Sequence, residues 1–183
     1  EMCIRDSDLG IETSLTNLPN IQRKIMLSCA THGKRSIVAT HLLESMINNP
    51  TPTRAEVTDI ANAVYEGADA VMLSGETSIG KYPEECIKFM KSIVAETEKF
   101  KTLGYENNLQ KNSDWEYIGQ AAKNLAESIK ADGIIAITRT GDTATYIANA
   151  KPHGVPIFSF TNNEVTFRPV SYTHLTLPTM DHV

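Results

Sequence analysis

This chain lacks any stretch approaching the ~18 consecutive apolar residues that a membrane-spanning helix needs, and it lacks a basic stripe of the kind that tracks a nucleic-acid backbone. Neither a membrane nor a nucleic acid is therefore expected as a partner. Positive charge is in the minority, with 17 Lys and Arg against 22 Asp and Glu and a formal net charge of −5. Cysteine is scarce too. Cys29 and Cys86 stand far apart, each inside an apolar helical pattern, and Cys3 lies in the terminal segment 1–7. Isolated thiols of this sort point to a reducing, cytoplasmic setting and away from a disulfide or cysteine–metal framework.

What is present must first be sorted by origin. Glu1-Met2-Cys3-Ile4-Arg5-Asp6-Ser7 is the translation of GAG ATG TGT ATA AGA GAC AG(N), which resembles a transposase mosaic-end sequencing adapter. Val170 to Thr179 matches the same adapter family on the opposite strand, and Met180-Asp181-His182-Val183 reads as an index tag beyond it. Segments of this origin are set aside before a fold is argued. Residues 1–7 and 169–183 are accordingly expected to be adapter artefacts, with Ser7 and Pro169 as junction codons, the alternative being a genuine N-terminal strand and a polar tail. Without Glu1, Arg5, Asp6 and Asp181 the net charge is −3.

Between these ends, strand and helix patterns alternate. Asn20 to Ala30, after Pro19, has helical spacing with Ile21, Ile25 and Leu27/Cys29 inward, and Gly33 stops it. Ser36 to Thr40 has the length and β-branched content of a buried strand, and Leu42 to Ile47 reads as a short helical turn. Thr53-Arg54-Ala55-Glu56 is a capping box that starts a helix, with Val57, Ile60, Ala61 and Val64 on one stripe and Gly67 as its stop. Ala70 to Leu73 is a second buried strand ending at Ser74. Tyr82-Pro83-Glu84-Glu85 then opens a helix whose inward face is read as Ile87, Met90, Ile93/Val94 and Thr97.

Lys101 to Asn112 interrupts this order with glycine and repeated asparagine, so a domain boundary is expected there. Ser113-Asp114-Trp115-Glu116 is another capping box, leading a helix with Ile118, Ala121/Ala122, Leu125 and Ile129 turned inward. Gly133 to Ile137 is a strand, Asp142 to Asn149 a helix, and Val155 to Phe160 the next strand. Strand, turn and helix in alternation imply parallel sheets covered by helices.

The sharpest sequence signal is Asn49-Pro50-Thr51-Pro52-Thr53-Arg54-Ala55-Glu56 followed by Met72-Leu73-Ser74-Gly75-Glu76-Thr77. Together these resemble the end of the pyruvate kinase barrel. Ile37 to Met46 resembles the segment around the family's strand seven, and Asp8-Leu9-Gly10 the family's Arg-Gly-Asp-Leu-Gly. The resemblance implies an α/β fold comprising part of a TIM (β/α)8 barrel, its last strands and helices, over residues 8–102. A linker at 103–112 and a truncated α/β C-terminal domain at 113–168 follow, the latter without the later strands of its sheet.

The same resemblance implies roles for particular residues. Asp8 falls at the position of a ligand to the catalytic Mg2+ or Mn2+, a cation that takes oxygen donors. Ser7 stands where the family has a substrate-contacting glycine, and bare Asp-Leu-Gly also reads as a turn. Thr40 carries over as the threonine that contacts phosphoenolpyruvate or joins the proton relay, and Ser74 as a contact to nucleotide or substrate. His41 replaces the family's glutamine and is read as a hydrogen bonder beside the site rather than a general acid. Arg54 is expected at a subunit interface of a homotetramer, the alternative being a solvated arginine at a helix start.

Thr138, Thr140, Gly141 and Thr143 join a strand to a helix in a loop that resembles the family's sugar-phosphate activator site. Asp142 in that loop would repel phosphate and is read first as an ordinary N-cap. The implied reaction is phosphoryl transfer from phosphoenolpyruvate to ADP, giving pyruvate and ATP in the cytoplasm. A second metal carboxylate, a lysine and a K+ site belong to family segments that would precede Asp8, so the 183 residues alone are expected to be inactive. Two other readings stay open: a non-catalytic α/β module that binds a phosphorylated ligand, and another barrel enzyme that uses phosphoenolpyruvate.

Overall fold

The computed structural model describes residues 2–5, 14–39 and 41–161, the first group by its backbone alone. Its first unit is built on three parallel strands, β1 (Met2–Arg5), β2 (Ser36–Ala39) and β3 (Ala70–Met72), in that spatial order. Parallel strands cannot be joined by a tight turn and need a crossover, usually a helix. Helix α1 (Leu18–Thr31) leads from β1 towards β2, and α2 (Arg54–Tyr65) from β2 to β3. A single turn, α3 (Gly75–Ser78), and the long α4 (Pro83–Thr97) follow β3.

Residues assigned to an adapter on grounds of coding origin thus include a strand. Met2 to Arg5 pair in register with Ser36 to Ala39. A ladder of this kind is made by backbone groups, so any short segment able to stay extended can supply it, whatever DNA encoded it.

Local signals fix where the helices begin and end. Thr53 caps α2: its hydroxyl accepts from the Glu56 amide at 3.3 Å while the Glu56 carboxylate accepts from the Thr53 amide at 2.7 Å. Gly33 and Gly67 sit in the left-handed region at φ 60° and 78°. Each closes its helix by the paired reverse bonds of a Schellman motif, Lys34 N to Cys29 O with Gly33 N to Ala30 O, and Ala68 N to Ala63 O with Gly67 N to Val64 O. Pro83 opens α4, where its missing N–H costs nothing.

The core of this unit joins Met26 of α1, Val38 of β2, Leu43 and Met46, Ile60 and Val64 of α2, and Cys86, Met90 and Val94 of α4. Two sequence expectations are corrected here. On α4 it is Cys86, wholly buried, that turns inward, whereas Ile87 is 57% exposed; on α1 Met26 is buried and Leu27 is exposed. The rest of each expected face holds, with Cys29 buried on α1 and Met90, Val94 and Thr97 buried on α4; the misplaced residues lie at the margin of a stripe wide enough to admit either neighbour.

The linking segment is docked rather than loose. A turn of 3-10 helix, Tyr105–Asn108, lies against α1; Leu109 is buried, its neighbour Gln110 donates to Thr31 O at 2.8 Å, and Leu103 N donates to Tyr65 O at 2.8 Å. The second unit consists of α5 (Asp114–Ile129), β4 (Ile134–Ile137), α6 (Asp142–Asn149) and β5 (Ile157–Phe160), with β4 and β5 parallel. Ala136, Ala144 and Ile147 form its small core.

Helix α5 is turned by about one residue from the expected face, and of the residues expected inward Ala122 packs on the core. Ile118, Leu125 and Ile129 are 55–65% exposed, and Gly119, Lys123 and Ala126 are buried instead. The cause is the close crossing with α6: a β-carbon on Gly119 would stand 2.8 Å from Tyr146 O, so only small residues fit the contact. On the sheet, Ile135, Ile137, Phe158 and Phe160 are also exposed. No described helix is long and apolar enough to cross a membrane.

Candidate active site

The parallel register decides where the strands deliver their following residues. Arg5 pairs with Ala39 and Ala39 with Met72, so the last paired residues of β1, β2 and β3 form one row along the sheet. The chain therefore leaves all three strands at the same edge, the edge at which barrels of this strand–helix type build their sites. Ser7, Asp8 and Thr40 lie outside the described residues. Of the residues expected at this edge, Ser74 and His41 can be placed.

Ser74 is exposed, two residues beyond β3, with its backbone at φ −127° and ψ −96°. Its hydroxyl makes no hydrogen bond among the described residues, while its amide donates to Glu76 Oε2 at 2.8 Å. The other oxygen of Glu76 accepts from the Leu43 amide at 3.2 Å. Glu76 is only 2% exposed, so this carboxylate works as an internal bracket between the loop after β2 and the loop after β3. A buried carboxylate is tolerated only when its lone pairs are met, and here backbone amides meet them.

Glu56 performs the same task on the other side of the strand-two loop. Besides Thr53, it accepts from the Ser45 amide at 2.7 Å and the Ser45 hydroxyl at 2.6 Å. Burial alone would raise its carboxyl; the bonds from Ser45, then those from Thr53, outweigh burial and hold it below the usual glutamate range. The segment from His41 to Ile47 is thus held at Leu43 by one buried acid and at Ser45 by another. Sequence reasoning explains Glu56 as a cap and gives Glu76 no role.

His41 adopts φ 54°, a conformation that non-glycine residues rarely take, and its Nδ1 stands 2.6 Å from Glu44 Oε2 on the exposed rim. Arg54, the first residue of α2, is exposed and makes no ion pair among the described residues. No three His, Cys, Asp or Glu side chains stand together as a metal site among the described residues. The metal assignment rests on Asp8, outside them.

The loop from Thr138 to Thr143 departs from expectation in one respect. Gly141, at φ 97°, is the N-cap of α6, and Asp142 is the first residue of the helix proper. Only a residue free of a β-carbon takes that φ readily, which displaces the acid by one position. Thr138 is buried and its hydroxyl accepts from the Gly141 amide at 2.9 Å; Thr140 donates to Asp142 Oδ2 at 2.7 Å. Both hydroxyls are occupied within the loop.

Comparison with known proteins agrees with this architecture. Residues 2–87 match the family model described as pyruvate kinase, barrel domain, and residues 116–179 the one described as pyruvate kinase, alpha/beta domain. These ranges take in parts of both terminal segments expected to be adapter. A pyruvate kinase of Chlamydia trachomatis serovar D is 42% identical over 87% of this chain and 34% of its own length, and one of Thermotoga maritima 40% identical over 94% and 37%. The crystal structure of a pyruvate kinase from Cryptosporidium parvum superposes with a TM-score of 0.87 at 33% identity, covering 93% of this chain and 36% of that one. The chain therefore spans about a third of the length of the relatives it matches. With part of a barrel followed by an α/β domain, and with both domain models matched in order, the chain belongs to the pyruvate kinase family of phosphotransferases.

Proposed function

We propose that this chain is the portion of a pyruvate kinase that supplies the last part of the catalytic rim, and that the whole enzyme transfers a phosphoryl group from phosphoenolpyruvate to ADP. The observation that carries this reading is the common edge of β1, β2 and β3, with the Ser74 loop bracketed to the strand-two loop by Glu76. Phosphoryl transfer asks the protein for positioning and charge neutralisation more than for covalent help. A rim held by buried acids suits positioning.

In this reading Thr40 binds the phosphoenolpyruvate carboxylate or moves a proton towards the enolate carbon, and the free hydroxyl of Ser74 contacts substrate or nucleotide in the same relay. Asp8 would hold Mg2+ or Mn2+, beside the backbone of Ser7, and the ion would neutralise phosphoryl charge. The K+ site would fall in family segments that precede Asp8. Arg54, exposed and unpaired among the described residues, suits an interface of a homotetramer. The compartment proposed is the cytoplasm.

The domain boundaries 8–102, 103–112 and 113–168, and the adapter origin of residues 1–7 and 169–183, belong to the same reading; genomic DNA across both junctions would test them. For Thr138, Thr140, Gly141 and Thr143 the internal bonds favour a self-capped helix start over a sugar-phosphate activator site.

A coupled assay for pyruvate is the direct test. In the full-length enzyme, Thr40→Ala and Ser74→Ala are each expected to lower kcat by roughly 10²-fold, the usual scale for loss of a positioned proton-transfer group. Undiminished turnover in both would overturn the assignment. The 183 residues by themselves are expected to form no pyruvate.

A further inference from the structure

Away from the rim, the two units enclose a cleft of about 800 Å³. Tyr65 and Thr97 line it from the first unit, Lys101 from the linking segment, and Lys123, Lys130 and Lys151 from the second. Its charges are unevenly satisfied. Of the acids on its wall, Asp69 is taken by Ser36 and Lys151, Glu106 accepts from Thr102, and Glu127 Oε1 accepts from the His153 amide at 2.8 Å. Glu98 alone is uncommitted among the described residues, against three lysines, 101, 123 and 130, that have no hydrogen-bonded carboxylate.

Lys123 is the informative one. It projects from the buried face of α5, where its side chain retains 10% of its exposure. Its ion-pair partner is Glu127 Oε1 at 4.0 Å, outside hydrogen-bond range, and that oxygen also accepts from the His153 amide. Lysine four residues before glutamate is also the weaker order for a helical pair. An ammonium taken from water with only a long ion pair to answer it is costly, and the other buried residues of α5 are Gly119 and Ala126. A lysine at that place makes sense if something fills the cleft.

We propose that this cleft is a binding site for the phosphate group of a small metabolite, held by the Lys123 ammonium and flanked by Lys101 and Lys130. Lysine binds phosphate as a point charge and needs no bidentate geometry, which suits ammonium groups carried on separate elements of one cleft. The walls come from both units, so a bound ligand joins them and favours the docked arrangement by mass action. The site is distinct from the Thr138 loop and from the catalytic rim, and it stands whether or not the chain takes part in phosphoryl transfer.

The test is a titration of the full 183-residue chain with inorganic phosphate at constant ionic strength, followed by backbone amide NMR. The resonances of Ala131, His153 and Gly154 are expected to move saturably. Movement confined to Thr140, Gly141 and Thr143, or no saturable movement at all, overturns the proposal. Lys123→Met is expected to weaken phosphate binding by about tenfold or more, the loss of one charge-assisted contact. Thr140→Ala is expected to leave it unchanged, and equal affinity in Lys123→Met is the contrary result. Should that variant not fold, the shift map of the unaltered chain decides. Acetate at the same ionic strength separates a phosphate site from one that takes any oxyanion: an equal response to acetate would refute the phosphate assignment.

Discussion

At the scale of single residues, two buried glutamates do more for the candidate rim than the residues that line it. Removing Glu76 would strand the buried Leu43 amide and the part-buried Ser74 amide; at about 1–3 kcal/mol for a buried unsatisfied donor and less for one that water can reach, Glu76→Ala is expected to cost roughly 1–4 kcal/mol in denaturant unfolding. Glu76→Gln keeps one carbonyl oxygen and should cost less. Glu56 predicts a pH dependence. Its carboxyl is lower in the folded chain than in the unfolded one, so its contribution is complete above the unfolded value, near 4.5, and is lost as pH falls through the folded one. Asp59 works against it: burial, and then the charge of Glu56, raise its carboxyl, so it favours the folded state most when protonated. Urea melts from pH 6 down to about pH 3 should therefore fall less steeply for Glu56→Gln than for the parent chain. Cys29 and Cys86 are buried thiols, and burial pushes both up, with Asp69 adding to the rise at Cys29 and Glu76 at Cys86. Thiol reagents are expected to label neither until the chain unfolds.

At the scale of elements, the outcome turns on which face of each helix meets its neighbour. The spans of α2, α4, α5 and α6 were legible because capping boxes, Pro83 and left-handed glycines are local signals, decided within a few residues of the chain. The common edge of β2 and β3 was legible in the same way, from the position of the apolar runs. The inward face of α5 was not. Its widest apolar stripe, Ile118 to Ile129, points outward because a backbone-close crossing with α6 selects for absence of side chain, and no periodicity of hydrophobic residues reports that. The brackets made by Glu56 and Glu76 were hidden for a related reason, since their partners Ser45 and Leu43 are distant in sequence and are met through backbone amides. Gly119→Ala tests the crossing: the added methyl would force α5 and α6 apart, and a loss of roughly 1–3 kcal/mol is expected, the ordinary range for overpacking. Substitution of exposed Leu125 by Ala should cost a few tenths of a kcal/mol by comparison.

At the scale of the whole molecule, the two units are joined by more than the linking segment. Lys151, at φ 50° just beyond α6, bonds the Gly67 carbonyl that ends α2 and lies 3.4 Å from Asp69 Oδ1. Asp69 in turn holds the amide and hydroxyl of Ser36, at 2.8 and 3.2 Å, and so the start of β2. Replacing Lys151 with Met would leave Asp69 as a buried acid with one partner fewer. The expected result is a melt that separates into two transitions, read by calorimetry, and faster proteolysis between Lys101 and Asn112. The exposed side chains of Ile135, Ile137, Phe158 and Phe160 on the second sheet have a consequence of another kind. A folded molecule that shows four large greasy groups side by side should light up an environment-sensitive naphthalene dye without any denaturant and should be retarded on phenyl resin, so those two handling properties will report the bare sheet before any kinetic experiment is attempted.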